Sequence, residues 1–120
     1  MRILFSIVTP VFNSVKLFRD TLESIKCQNY NHIEYIIVDG GSTDGTLDLL
    51  KEYSDIISIV VSEEDQGMYD ALAKGLSIAK GDYIGYLNAG DKLFPNSISF
   101  FFLFFFFSFF FFVFSRFPVF

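Results

Sequence analysis

Four short runs of consecutive apolar residues punctuate the chain: Ile3 to Val8, Ile33 to Val38, Ile56 to Val61 and Tyr83 to Leu87. They are rich in β-branched and aromatic side chains and lack an alternating polar face, the pattern of strands covered on both sides. The segments between them keep a helical rhythm. Val15, Phe18, Leu22 and Ile25 recur at three and four residues, with Asn13 or Ser14 placed to cap the start. Leu47, Leu50 and Tyr53 line one face of a second helix, and Met68, Leu72, Leu76 and Ala79 one face of a third. Gly75 interrupts that third pattern at a cost of about 1 kcal/mol against alanine.

Strands alternating with helices in this way build βαβ units and a mainly parallel sheet. The expected fold class is therefore α/β, a Rossmann-like layer. In such sheets a ligand lies beyond the carboxyl ends of the strands, where the strand order reverses.

Composition divides the chain. At 120 residues it is long enough for one domain, yet Phe100 to Phe120 is almost entirely phenylalanine while the preceding part reads as ordinary globular sequence. We expect a partial α/β domain over 1–97 and a low-complexity tail over 98–120. The net charge of −5 resides almost wholly in the first part, which has no basic cluster, so nucleic acid is not an expected partner. Cys27 is the one cysteine, which excludes an internal disulfide, and its helical surroundings predict an inert, half-buried residue. The opening MRILFSIVTP runs directly into a turn and has no secretory cleavage pattern, which predicts an intracellular protein.

Candidate chemistry sits where the strands end. In IVDGGSTDGT, Asp39 closes the second strand, Gly40 and Gly41 allow positive φ and close backbone approach, and Ser42, Thr43 or Asp44 can cap the next helix. A carboxylate so placed can accept hydrogen bonds from a nucleotide; a tight turn with a solvated aspartate is the plainer alternative. The first strand is followed by TPVFNS, which does not supply the glycines of a dinucleotide fingerprint, and Thr46 stands where a P-loop needs lysine. In YLNAGDKLFP, Asn88 and Asp91 follow the fourth strand and would face the same crevice. Such oxygens suit a hard divalent cation, Mg²⁺ or Mn²⁺, and equally an ordinary turn. In SEEDQGMYDALAKG, the acidic run Glu63 to Asp65 reads as a solvated strand end, and Asp70 with Lys74 as a surface ion pair with a ligand role open.

Taken together, SIVTPVFN, YIIVDGGSTDGT, DQGMYDALAKG and YIGYLNAGD resemble, in order and spacing, the family 2 glycosyltransferases of GT-A fold, over Ile3 to about Ser97. The resemblance implies a site for a nucleotide-diphosphate sugar. In it Pro10 and Phe12 flank the base, Asp39 reads it, and Asn13, Ser42, Gln66, Asp70, Lys74 and Asn88 complete the donor contacts. Asp91 matches the metal-binding DxD region, implying a divalent cation, although Asn88 and Gly90 replace two carboxylates usual there. Ala73 stands where a close subgroup has asparagine. The implied reaction is sugar transfer to an acceptor hydroxyl of a glycan or lipid-linked acceptor, as in polysaccharide synthesis, in the cytoplasm or at the inner face of the plasma membrane. The family's general base normally follows the metal loop, so the chain is expected to be the nucleotide-binding half, truncated and inactive as it stands.

The tail has two readings. From Ile98 to Phe114 its apolar run approaches the ~18 residues of a membrane span, which makes a non-catalytic, membrane-tethered nucleotide-binding module the alternative function. Near-pure phenylalanine is an unusual span with strong β-propensity. We therefore read it as the product of a frame change in a thymine-rich stretch.

Overall fold

The structure, a computed structural model, describes residues 2–101. The readings of the tail as a frame-change product or a membrane anchor lie outside the described residues beyond 101. Seven elements alternate as expected: β1 (Phe5–Val11), α1 (Val15–Lys26), β2 (Ile33–Asp39), α2 (Thr46–Glu52), β3 (Ile59–Ser62), α3 (Met68–Ile78) and β4 (Tyr83–Tyr86). All pairings are parallel and the order is β3-β2-β1-β4. The chain thus steps outward from β1 to β3 and then returns to the far side of β1, so the reversal point lies between β1 and β4.

Both faces of the central strands are covered, which is why their sequences are apolar throughout. Ile7, Val11, Tyr35 and Ile37 point to the side of α1 and α2 and meet Phe18, Leu22, Ile25, Leu49, Leu50 and Tyr53. Val8, Ile36 and Val38 point to the other side and meet Ala71 of α3. Burial on the first side pushes the Tyr35 phenol well above its ordinary value, and its hydroxyl shares a hydrogen bond of 2.9 Å with Thr9.

β1 runs three residues further than the apolar run suggests, through Pro10 to Val11. Proline is accommodated because β4 pairs only as far as Val8. The Val8 carbonyl faces β4, accepting Leu87 N–H at 2.9 Å, so Pro10, two residues on, turns its N–H-less nitrogen to the same side, past the last pair.

Two local expectations are corrected. The buried centre of α3 is Ala71 and Gly75, not the Met68 row; Met68 is exposed, and Leu72, Leu76 and Ala79 pack at the edge. A Cβ at Gly75 would lie 2.3 Å from Val8 Cγ1 and 3.2 Å from Val38 Cγ2, so this glycine sets how closely α3 approaches the sheet. Cys27, expected half-buried, is exposed because it follows the last turn of α1. Ile98 is buried in the first cluster, and the Phe101 ring meets Phe5 and Tyr83 edge-on.

Gly75→Ala therefore tests the packing directly. Helix propensity alone favours alanine by about 1 kcal/mol, whereas the clash with Val8 costs about 1–3 kcal/mol of overpacking. We expect a lower urea midpoint; a raised midpoint would mean α3 does not sit this close.

Candidate functional site

Each strand of the sheet hands the chain to a loop at the same edge, and these loops surround a cleft of about 800 Å³. The first loop contributes Pro10, Val11, Phe12 and Ser14, and the second Gly40 and Gly41. The third contributes Glu64, Asp65, Gly67, Met68 and Ala71, and the fourth Asn88 and Ala89. The cleft lies at the reversal point between β1 and β4, the place the strand order designates for a ligand.

Asp39 is the knot of the second loop. It is fully buried, and its Oδ2 accepts hydrogen bonds from Gly41 N–H (3.0 Å), Ser42 N–H (3.0 Å) and the Ser62 hydroxyl (2.8 Å), while Oδ1 accepts the Ser42 hydroxyl. Gly41 turns its N–H inward at φ 94°, a conformation costly to any other residue. Gly40 has no such backbone need. Its missing side chain leaves room for Asp65, whose carboxyl atoms would lie 2.8–3.0 Å from a Cβ there.

The first two loops are stitched together. Asn13 N–H donates to Ser42 Oγ at 2.8 Å and Asn13 Oδ1 accepts Thr43 N–H at 2.8 Å, which holds Asn13 at a left-handed φ of 44°. Neither helix here carries its own side-chain cap. Asp44 serves both: Oδ2 accepts Val15 N–H of α1 at 3.2 Å, and Oδ1 accepts Thr46 N–H and hydroxyl of α2 at 3.0 and 2.5 Å. Ser14 N–H in turn donates to Thr46 Oγ1 at 3.1 Å. The Thr46 hydroxyl, with the two backbone donors, holds the Asp44 carboxyl below its ordinary value of 3.8. Phe12 is left projecting from this braced turn, 58% exposed.

The expected site residues thus fall into groups. Pro10, Phe12 and Asn88 line the cleft; Asn13, Asp39 and Ser42 brace its wall. Gln66, Asp70 and Lys74 are gathered at the start of α3 instead: Gln66 N–H donates to Asp70 Oδ2 at 3.0 Å, and the Lys74 ammonium lies 3.1 Å from Glu63 and 3.5 Å from Asp70. The Gln66 donor, ahead of Lys74, lowers the Asp70 carboxyl, and Glu63 raises Lys74. Asp91 is exposed and stands outside the cleft lining, its loop fastened to α1 by the Thr21 hydroxyl, which accepts Gly90 N–H at 2.8 Å and donates to Asp91 O at 2.7 Å. Among the described residues no three His, Cys, Asp or Glu side chains converge as a metal cage. Asn88 Oδ1, by contrast, is buried and finds no hydrogen-bond partner among them. Sequence reasoning missed Thr21, Ser62 and Thr46 as braces and Asp65 as a cleft residue. The Asp-Gln-Gly spacing of an aspartate turn was the available signal for the last.

The sequence profile of glycosyl transferase family 2 matches residues 6–114. The chain belongs to glycosyl transferase family 2. It is 41% identical over 92 residues to the putative teichuronic acid biosynthesis glycosyltransferase TuaG of Bacillus subtilis, a match covering 74% of this chain and 36% of that protein. An uncharacterized glycosyltransferase of Rickettsia typhi is 36% identical over 95 residues, 79% of this chain and 30% of its own length. The chain therefore spans about a third of the length of these family 2 relatives. Among solved structures, the mannosyltransferase PcManGT from Pyrobaculum calidifontis in complex with GDP-Man and Mn²⁺ superposes with TM-score 0.72 at 25% identity, over 80% of this chain and 30% of that one. S. aureus TarS gives TM-score 0.78 at 24% identity, over 85% and 32%, which shows the shared fold. The four-stranded parallel sheet with flanking helices is the Rossmann-like nucleotide-binding half of the GT-A fold. No helix among the described residues is long and apolar enough to cross a membrane.

Asp44 gives the brace a pH signature. A carboxyl depressed in the folded state contributes stability that is complete above its unfolded value and is lost as pH falls through the folded one. Asp44→Asn should lower the melting temperature at neutral pH, and its deficit against wild type should narrow below pH 3.8. A deficit constant across thermal melts at all pH values would show that the charge on Asp44 contributes nothing.

Proposed function

We propose that the cleft binds the nucleoside diphosphate of a sugar donor, and that the chain is the nucleotide-binding half of a glycosyltransferase serving polysaccharide or glycan synthesis. The observation that carries this reading is the position of the cleft, at the strand-order reversal between the Pro10–Phe12 and Asn88–Ala89 loops. Phe12 offers the base an aromatic face on a turn braced from two sides, and Pro10 stiffens the strand end beneath it. In this fold Asp39 presents no exposed oxygen, so we assign it, with Ser42 and Asn13, to holding that turn in place.

The charges around the cleft bear on the diphosphate. Among the described residues Glu64 and Asp65 line it and no lysine or arginine does, while Lys74 is engaged by Glu63 and Asp70. A bound diphosphate therefore needs its charge balanced by something other than a side chain. The unpaired Asn88 Oδ1 is an oxygen donor that would suit a hard divalent cation, Mg²⁺ or Mn²⁺, while Asp91 stands at the rim, outside the cleft lining. Such an ion supplies charge neutralisation to the departing diphosphate. In the transfer we infer, an acceptor hydroxyl oxygen bonds to the anomeric carbon as the bond to the diphosphate breaks, and the hydroxyl proton passes to a base that we assign to none of the described residues. We place the reaction in the cytoplasm, at the inner membrane face where the acceptor is lipid-linked.

Two titrations test this. Calorimetry with UDP and GDP in Mn²⁺ should show binding, and Phe12→Ala should weaken it about tenfold, the scale of one base–aromatic stack of ~1–3 kcal/mol. Chelating the cation should abolish the heat. Failure of wild type to bind either diphosphate removes the reading, and equal binding with and without cation removes the metal from it.

A further inference from the structure

We propose that Thr21, buried in α1, is a positioning residue for the donor diphosphate: its hydroxyl sets the register at which the 88–91 turn aims Asn88 into the cleft. This rests on the nucleotide reading above. Thr21 is fully buried, and its one hydroxyl is used twice, accepting Gly90 N–H at 2.8 Å and donating to Asp91 O at 2.7 Å. The turn is closed by Asp91 N–H, which donates to Asn88 O at 3.0 Å. Held at a donor and an acceptor on successive residues, the turn cannot swivel, and the direction of Asn88 is fixed with it. The atom so aimed is Asn88 Oδ1, buried and unmet by any described donor.

The helix that carries Thr21 also carries the facing wall. Ser14 O accepts Leu17 and Phe18 N–H at 3.0 Å each, so the turn bearing Phe12 runs straight into α1, and Thr21 follows about two helical turns on. One rigid element thus spaces Phe12 from Asn88. Below Thr21 the same face continues: Ser24 Oγ accepts Leu93 N–H at 3.1 Å, and the Gln28 amide donates to Phe94 O at 2.9 Å and accepts Ile98 N–H at 3.3 Å. These contacts all go to backbone atoms, so they fix where residues 90–98 lie along the helix whatever their side chains. Three side chains share the anchoring, but only Thr21 reaches the turn at the cleft. Stability is therefore spread over the row, while ligand positioning falls to its first member.

The test compares UDP with uridine, which lacks the diphosphate, by titrating the full-length chain in Mn²⁺. Thr21→Val keeps the side-chain shape and removes the hydroxyl. With folding checked by thermal melt, we expect its UDP affinity to fall about five- to tenfold, the scale of one or two hydrogen bonds, with uridine affinity unchanged. Thr21→Ser, which keeps the hydroxyl, should restore UDP binding. Gln28→Met removes a comparable pair of bonds farther from the cleft and should lower the melting temperature while leaving the UDP-to-uridine ratio at its wild-type value. Unchanged UDP affinity in Thr21→Val overturns the inference, as does an equal loss of UDP and uridine, or the same fall in their ratio in Gln28→Met; either of the last two would mark Thr21 as structural. In the unliganded wild type the Gly90 amide should exchange slowly with deuterium, and fast exchange overturns the inference even where Thr21→Val fails to fold. A wild-type chain that binds neither UDP nor uridine overturns the nucleotide reading itself, and this inference with it.

Discussion

The buried Asp39 carboxyl at the end of β2 is the constraint around which the site is built. Taking such a group out of water is expensive unless each lone pair finds a donor, and here the donors come from the two residues after Gly40 and from Ser62 at the end of β3. The requirement works in both directions. The loop must curl back to serve the carboxyl, which needs the left-handed turn at Gly41, and β3 must end level with β2, as the Asp39–Ser62 pairing records.

From that knot the order propagates outward by shared atoms. Ser42 Oγ donates to Asp39 and accepts Asn13 N–H, so the position of the first loop follows from the second. Asp44 and Thr46 then supply caps to two helices at once, joining α1 and α2 at their starts. Hydrogen bonds that in isolation are worth about 1 kcal/mol each gain from this arrangement because none can be lost without disturbing the next. The consequence for function is an exposed aromatic, Phe12, on a turn that has little freedom to move.

The opposite wall is set by packing. Gly75 lets α3 approach β1 and β2, and α3 brings Gly67, Met68 and Ala71 to the cleft edge together with the Asp65 turn that precedes it. Thr21 pins the Gly90–Asp91 backbone onto α1 and so directs Asn88 inward and Asp91 outward. The separation of these two oxygens between the cleft and its rim is a product of that one hydroxyl and of the φ of 100° at Gly90.

The sequence by itself determined the element order, the parallel sheet and the edge at which the loops gather, because unbroken β-branched runs at strand length admit few other arrangements. The motif spacing also carried the family. Element ends were less legible: β1 continued through Pro10 because β4 stops short of it, a fact about a neighbour 70-odd residues away. The division of labour among the polar residues was decided only by the tertiary structure. Whether Asp39, Asp65 or Asp91 faces solvent, a loop or a cleft depends on which donors other strands bring within about 3 Å. Composition and spacing record that carboxyls stand at strand ends; the partners that consume or spare their oxygens come from distant segments, and those meet only when the sheet is assembled.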